Sequence, residues 1–335
     1  MKEIKKMNPD YLYLIEQAVK APSGHNTQPW LFRVSEEAIE LLPDRSKALP
    51  VVDPEQRELF ISVGCAAENL CLAAVAKGYR PETVVTDSSC VRIRLPRATA
   101  APGLALAPGT SCCLAPLIGR RQTNRSVYTG RLIDEPAIKR LLAVEGDSGI
   151  RIEAWPRGSA AFEQLARYVA EGNELQLADA AFRAELKAWM RFNSKHVGQT
   201  HDGLTYAVFG APDLPRWISE PVIGAMLNGR SQNKADRKKI ASSSHLVLFA
   251  SQEHTPAGWV ALGRVLQFFL LRLAQAGVAA AFLNQPCELP VLAEKVGRKF
   301  LPSGVYPHLL LRIGYASRPM AFSPRRRVEE FLVEE

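Results

Sequence analysis

The chain has 335 residues, 47% of them hydrophobic and 23% charged, which is enough apolar material for two ordinary domains with a sizeable core. Its formal net charge of +8 points to an anionic partner, whether nucleic acid, membrane or phosphate ligand. The basic excess concentrates at Arg120, Arg121 and Arg125, and again at Arg325, Arg326 and Arg327. Clusters so compact suit a phosphate better than a long nucleic-acid track. No helix-turn-helix or RNA-binding signature accompanies them, so no nucleic-acid partner is expected.

The first nine residues are polar and lack the apolar run of a signal peptide. After an N-terminal helix comes a Gly- and Pro-punctuated turn, Ala21-Pro22-Ser23-Gly24-His25-Asn26-Thr27-Gln28-Pro29, leading into an aromatic-anchored strand at Trp30. A β-like run at 39–42 precedes residues 59–78, where Leu59, Phe60, Val63, Ala66, Ala67, Leu70, Ala73 and Ala74 repeat at helical spacing. That helix holds Gly64 inside and ends at Gly78, a plausible C-cap. A probable strand, 91–95, follows it. The stretch 98–116, rich in Ala, Pro and Gly, reads as a linker.

The pattern then recurs. A β-like run at 245–250 precedes an apolar helix over 259–277, with Gly263 inside and Gly277 at its end, and a strand at 308–314 follows. The two glycines are separated alike in both helices, so Gln267 falls where Glu68 sits and Leu271 where Leu72 sits. An interior glycine weakens a helix by about 1 kcal/mol relative to alanine, so a packing reason is expected, such as two helices crossing closely. Polar interruptions at Arg264, Gln267, Arg272 and Gln275 mark the second helix as buried rather than membrane-spanning, and no membrane partner is expected. Few strands interleaved with helix-rich segments suggest an α+β unit used twice. The second copy is the longer, its surplus lying mainly at 192–234, a stretch that reads as a lid or a surface loop. Within it, His196, His201 and Asp202 could line such a lid. They lack an obvious third ligand, and no metal site is expected. The six cysteines form no CxxC or zinc-ligand spacing, which fits free thiols in a reducing, cytoplasmic compartment.

The run Pro22-Ser23-Gly24-His25-Asn26-Thr27-Gln28-Pro29-Trp30 resembles the signature segment of the nitroreductase superfamily. That resemblance implies that Pro22, Ser23, Gly24, Asn26 and Gln28 contact an FMN cofactor. Arg120-Arg121-Gln122-Thr123-Asn124-Arg125 is similar to the family's phosphate-gripping element, which implies the same ligand for Arg121, Thr123 and Arg125. Guanidinium forks and a hydroxyl are apt donors for phosphate oxygens. By the same resemblance Arg325 and Arg327 contact the phosphate. Lys239 reaches the ribityl chain or ring edge, and Asn284 and Gln285 lie near the flavin N5.

The first copy keeps the Ser/Asn loop without an Arg-x-Ser/Thr-x-Arg element. The second keeps that element, but 168–192, where its own Ser/Asn loop would lie, reads as continuous helix. Each half retains what the other has lost, as in the fused, Acg-type branch of the family, which the chain resembles from about Tyr13 to Phe331. The resemblance implies two tandem nitroreductase-like units, residues 1–115 and 116–335, each a central antiparallel-type sheet flanked by helices. Together they form an intramolecular pseudo-dimer with one complete site and one vestigial site. Such a chain is either monomeric or a further homodimer. The implied activity is FMN-dependent oxidoreduction: NAD(P)H delivers hydride to flavin N5, and a small acceptor of nitro or quinone type is reduced. The flavin carries the chemistry, so no catalytic side chain is assigned. The alternative is a flavin-storing or redox-sensing protein, its FMN covered by a lid carrying Tyr206, Phe209 and Trp217.

Overall fold

The structure, a computed structural model, describes residues 7–86, 88–98, 113–143 and 149–333. Helix α1 (Pro9–Ala18) starts at Asn8, whose Oδ1 accepts from the Asp10 N–H at 2.9 Å, with Pro9 in the first turn. Strands β1 (Trp30–Val34) and β2 (Ala38–Pro43) form a hairpin, followed by the long helix α2 (Arg57–Ala76), then β3 (Glu82–Val85) and β4 (Val91–Arg94). Most of the segment expected to be a linker lies outside the described residues.

The second part opens with α3 (Glu135–Leu142) and β5 (Ile150–Pro156). Next come α4 (Ala160–Ala178), α5 (Ala180–Ala188), β6 (Met190–Arg191), α6 (Ser194–Thr200), β7 (Leu204–Thr205), α7 (Arg216–Met226) and α8 (Gly229–Ala241). It closes with β8 (His245–Ser251), α9 (Pro256–Gln275), β9 (Ala279–Phe282), α10 (Gln285–Glu288), α11 (Pro290–Phe300) and β10 (Tyr306–Gly314). Residues 168–192, expected as one helix, are broken at Asp179. Its carboxylate accepts from the Ala181 N–H and so caps α5 instead of continuing α4.

Two four-stranded sheets result, ordered β1-β2-β4-β3 and β5-β8-β10-β9, with every neighbouring pair antiparallel. In each, two strands precede the long helix, two follow it, and the last strand inserts between the second and third. The same α+β connectivity therefore occurs twice, with extra helices between β5 and β8 and between β9 and β10. The expected runs at 39–42, 91–95, 245–250 and 308–314 all fall on strands. Strands β3 and β9, short and without a strong alternating pattern, were not anticipated.

The two sheets share a core through α2 and α9, which cross at their interior glycines. A Cβ on Gly64 would lie 2.1 Å from the Val260 carbonyl oxygen, and one on Gly263 would lie 2.1 Å from the Ile61 oxygen. Nothing larger than hydrogen fits at either position. The contact is locked by polar groups: Gln267 donates to Asn69 Oδ1 at 2.6 Å, Asn69 donates to the Gln17 carbonyl at 3.1 Å, and Arg264 pairs with Glu68 at 2.9 Å. Phe60 lies against Trp259 and Phe249 against Phe269 on the flanks. Both helices are long and apolar enough to cross a membrane, but their apolar faces are spent on each other and on the sheets.

The chain's last described residues return to the first sheet. Val333 N–H donates to the Phe32 carbonyl at 3.0 Å, and the Phe331 ring packs against Trp30 and Phe32. Replacing Gly64 by alanine forces a methyl into the facing backbone, and we expect a loss of roughly 1–3 kcal/mol. Urea unfolding of Gly64→Ala, Gly263→Ala and the double variant checks this. Because both changes open one contact, the double variant should cost clearly less than the sum.

Candidate functional site

The loop after α1 is shaped by unusual backbone. His25, Asn26 and Gln28 all have positive φ, at 48°, 59° and 55°. Side chains hold this conformation in place, the kind of cost that structures bear mostly at functional loops. Ser23 Oγ accepts from the Gln28 N–H at 3.0 Å, Gln28 Nε2 donates to the His201 carbonyl at 3.0 Å, and Gln28 Oε1 accepts from the Arg326 N–H at 3.0 Å. Arg325 Nη1 donates to Asn26 Oδ1 at 2.8 Å, while its other nitrogens bond the carbonyls of Val19, Lys20 and Ala21. One arginine from the end of the sequence thereby closes the C-terminal end of α1 and the loop together.

This loop stands at the junction of two adjoining cavities of ≈ 300 and ≈ 310 Å³, which share Pro22, Ser23, Arg125, Leu204 and Phe282 in their walls. The second cavity is cationic. Lys20, Arg121, Arg125 and Arg325 line it, together with Thr123 and Asn26. Among the described residues none of these four cations pairs with a carboxylate. Arg121 is buried, with Nη2 on the Lys20 carbonyl and Nε without a partner. Burial pulls the Arg121 and Arg125 guanidinium groups down to about 10, Arg125 also feeling Arg312. Arg325 falls to about 9 through burial and the neighbouring Arg121 charge. A desolvated group of like charges is costly without a counter-charge, and a phosphate supplies one along with acceptors for the free N–H groups.

The first cavity is mixed in character. Its floor holds Ile61, Ser62 and Cys65 of α2, Leu266 of α9, and the β9–α10 turn at Asn284 and Gln285. Asn284 Nδ2 donates to Glu58 Oε1 at 3.0 Å, and Gln285 Nε2 donates to Asn173 Oδ1 at 2.9 Å, leaving the buried Gln285 Oε1 unpartnered. Lys239 reaches in from α8, 3.8 Å from Asp236, and burial lowers its pKa. His25 sits beside Arg125, and burial followed by that charge lowers it to about 4, so the ring is neutral near pH 7. Two carboxyls, Glu58 and Glu288, share the cavity wall, and burial followed by their mutual repulsion raises Glu58 well above the usual range. Glu288 is raised as well, chiefly by burial.

The roof differs from the expected lid. It begins earlier, with Phe182 and Leu186 of α5 and Met190, and continues through Leu204, Phe209 and Leu227. Phe209 lies 5.6 Å from the Arg125 guanidinium, whereas Trp217 is 77% exposed and lies away from the cavity. Asp202 is buried in an ion pair with Arg191 at 2.7 Å, and His196 stacks on Phe192. Neither lines the cavities. Among the described residues no group of three His, Cys, Asp or Glu is placed to hold a metal ion.

Of the residues singled out in the sequence, Pro22, Ser23, Gly24, Asn26, Arg121, Thr123, Arg125, Lys239, Asn284, Gln285 and Arg325 line the joined cavities. Two do not. Gln28 is fully buried, with its amide consumed in bracing the loop. Arg327 is exposed beside Glu330, because the short 3-10 turn Val328–Phe331 aims it outward while Arg326 folds over Phe331. Glu58, Glu288, Ser62 and Arg312 went unnoticed in the sequence. Each sits in or beside an apolar run, and the only signal was a charge or hydroxyl interrupting it.

Fold and site together define an α+β protein with a cationic cleft walled by both of its similar halves. No family model matches the sequence. The chain is 25% identical, over 93% of its length and 88% of the relative's, to a Mycobacterium tuberculosis H37Rv protein named "Putative NAD(P)H nitroreductase Rv3131". It is 22% identical, over 94% of its length and 93% of the relative's, to "Putative NAD(P)H nitroreductase acg" of the same strain. Among solved structures, the FMN-dependent nitroreductase NfnB from Mycobacterium smegmatis aligns at 16% identity, covering 66% of this chain and 97% of that one, with a TM-score of 0.42. Both relatives are thus named as NAD(P)H nitroreductases, and the likeness runs along nearly the whole of this chain.

The raised carboxyls give a signed expectation. A carboxyl whose folded pKa is raised lets the unfolded state lose its proton first, so stability falls as pH climbs from the ordinary glutamate value of 4.5 toward the folded value. Glu288→Gln removes one such group and relieves the other, so its stability should decline less over that window. The check is the urea midpoint of both proteins across pH, and parallel curves would contradict it.

Proposed function

We propose that the protein is an FMN-dependent oxidoreductase, taking electrons from NAD(P)H and passing them to a small acceptor of nitro or quinone type. The observation that carries this reading is the cationic cavity: Lys20, Arg121, Arg125 and Arg325 lie together without carboxylate partners among the described residues, and the adjoining chamber is lined with amides, apolar groups and carboxyls, Glu58 and Glu288 among them. Such a pair of chambers suits a ligand with a phosphate at one end and a flat, polar-edged ring at the other.

In this reading Arg121, Arg125, Arg325, Lys20 and Thr123 grip the phosphate, with Asn26 holding Arg325 in place. Pro22, Ser23 and Gly24 lie along the ring and ribityl chain, Lys239 reaches the ring edge, and the turn at Asn284 and Gln285 faces N5. When bound, the flavin supplies hydride acceptance and release. The chain's own contribution is position and field. Arg125 and Lys239 place positive charge where reduction builds negative charge, and Leu186, Leu204 and Phe209 keep water from the ring. The repeated sheet connectivity supports the two halves as tandem nitroreductase-like units in an intramolecular pseudo-dimer, divided near residue 115. The site takes its loop from the first half and most of its phosphate grip from the second. A monomer then already contains both walls.

An absorbance spectrum of the purified protein, followed by anaerobic mixing with NADH and NADPH, tests the reading. Retained FMN that NAD(P)H bleaches is the expected result, and failure to hold added FMN rejects it. FMN reduced by dithionite but not by NAD(P)H would favour storage. Removing a charge-assisted hydrogen bond costs about 1.5–3 kcal/mol, so Arg125→Gln should weaken FMN binding roughly 10- to 100-fold, read by fluorescence titration.

A further inference from the structure

Glu58 comes from the first turn of α2 and Glu288 from the end of α10, and both line the chamber that holds Asn284 and Gln285. The two carboxyls act on each other directly: burial, followed by the charge of Glu288, holds Glu58 well above the usual carboxylate range. Two carboxylates buried in one chamber repel, which favours the state in which the pair keeps a proton. One oxygen of each is held by an amide rather than a cation: Asn284 Nδ2 on Glu58 at 3.0 Å and Gln176 Nε2 on Glu288 at 2.5 Å. Arg57 is the nearest guanidinium, 4.0 Å from Glu58, but its Nη1 is committed to the Cys287 carbonyl at 2.8 Å. Asp53, which accepts from the Leu59 N–H, adds a third negative group on the same side. The groups facing the pair are thus Asp53 and Arg57 at the start of α2, Gln176 from α4, and Asn284 and Cys287 around α10. One cation among three carboxyls leaves the pair strongly biased toward keeping a proton.

We propose that Glu58 and Glu288 share one proton at neutral pH and form the acid that protonates the acceptor bound in this chamber, an inference that rests on the oxidoreductase reading above. The balance is simple. A quinone-class acceptor gains two electrons and one hydrogen as a hydride equivalent, drawn through the cofactor from a NAD(P)H-class donor that ends as NAD(P)+. The acceptor is then a hydroquinone monoanion. The carboxyl O–H bond breaks, an O–H bond forms on the acceptor's free oxygen, and two carboxylates remain in the chamber. Their repulsion draws a proton back from water once the product leaves.

Infrared spectroscopy in D2O at neutral pH reads the shared proton directly as the carbonyl stretch of a protonated carboxyl. The wild-type protein should show it, and Glu288→Gln and Glu58→Gln should each lose it. Absence of the band from the wild type, or its survival in both variants, overturns the proposal. The wild-type measurement needs no variant to fold. Stopped-flow kinetics then separate the half-reactions. In Glu288→Gln the acceptor half should slow roughly 100-fold, the usual contribution of a positioned acid, and lose its solvent isotope effect, while reduction by NAD(P)H changes less than about threefold. Equal slowing of both halves overturns the donor role. Flavin content of the same samples distinguishes the two readings. Wild type that shows the band but retains no FMN rejects the oxidoreductase reading and the donor role with it. Wild type that retains reducible FMN without the band rejects the shared proton alone.

Discussion

The close crossing of α2 and α9 is the constraint on which the rest depends. Two backbones in contact at Gly64 and Gly263 fix the distance and angle between the sheets, because each sheet packs on its own long helix. The cleft lies at one end of that crossing. Ser62 and Cys65, on either side of Gly64, form part of its floor, and Leu266 comes from the facing helix. A spacing wider by one methyl group would move the loop carrying Pro22 and Ser23 away from Asn284 and Lys239. Packing tolerance in the core therefore becomes geometric tolerance at the site.

The cleft itself is a case of charges arranged against their own stability. Arginines packed together without carboxylate partners among the described residues, two carboxyls buried in one chamber and three left-handed residues in one short loop are each unfavourable alone. The Lys20, Arg121 and Arg325 cluster lines one chamber and the Glu58–Glu288 pair the other, with Arg125 in the wall of both. This separation gives the cleft a direction: an anionic group belongs at the Arg121 end, and a group that accepts hydrogen bonds or protons belongs at the Glu58 end. Arg312, fully buried and spent on the carbonyls of Asn124, Ser126 and Lys239, lines the Glu58 chamber and anchors the strand and loop beside it.

Much of this was legible in the sequence because it is local. The glycine within each long apolar helix revealed the crossing, and the turn chemistry from Pro22 to Pro29 with the Arg121–Arg125 cluster marked the two cavity walls. What escaped was non-local. Gln28 and Asn26 look equally suited to a ligand, and only the arrival of residues 324–326 from the far end of the sequence spends both amides as braces, Gln28 behind the cleft and Asn26 at its wall. Glu58 adjoins an apolar helix face and Glu288 a proline turn, and nothing in either neighbourhood indicates that they meet. The part of the roof before residue 192 escaped for a similar reason: α5 is amphipathic in an ordinary way, and its apolar face could have covered any part of the core.

The tail that carries Arg325 also acts on the chain as a whole. Asn26 and Arg325 are 299 positions apart, and closing a loop of that length costs on the order of 5 kcal/mol in chain entropy. A ligand gripped at once by the Ser23 loop and by Arg325 behaves as a removable staple across that loop, tying the start of the fold to its finish. Occupancy of the cleft and docking of the tail then reinforce each other, and a molecule stripped of its ligand should loosen first along the edge of β1, far from where any chemistry would occur.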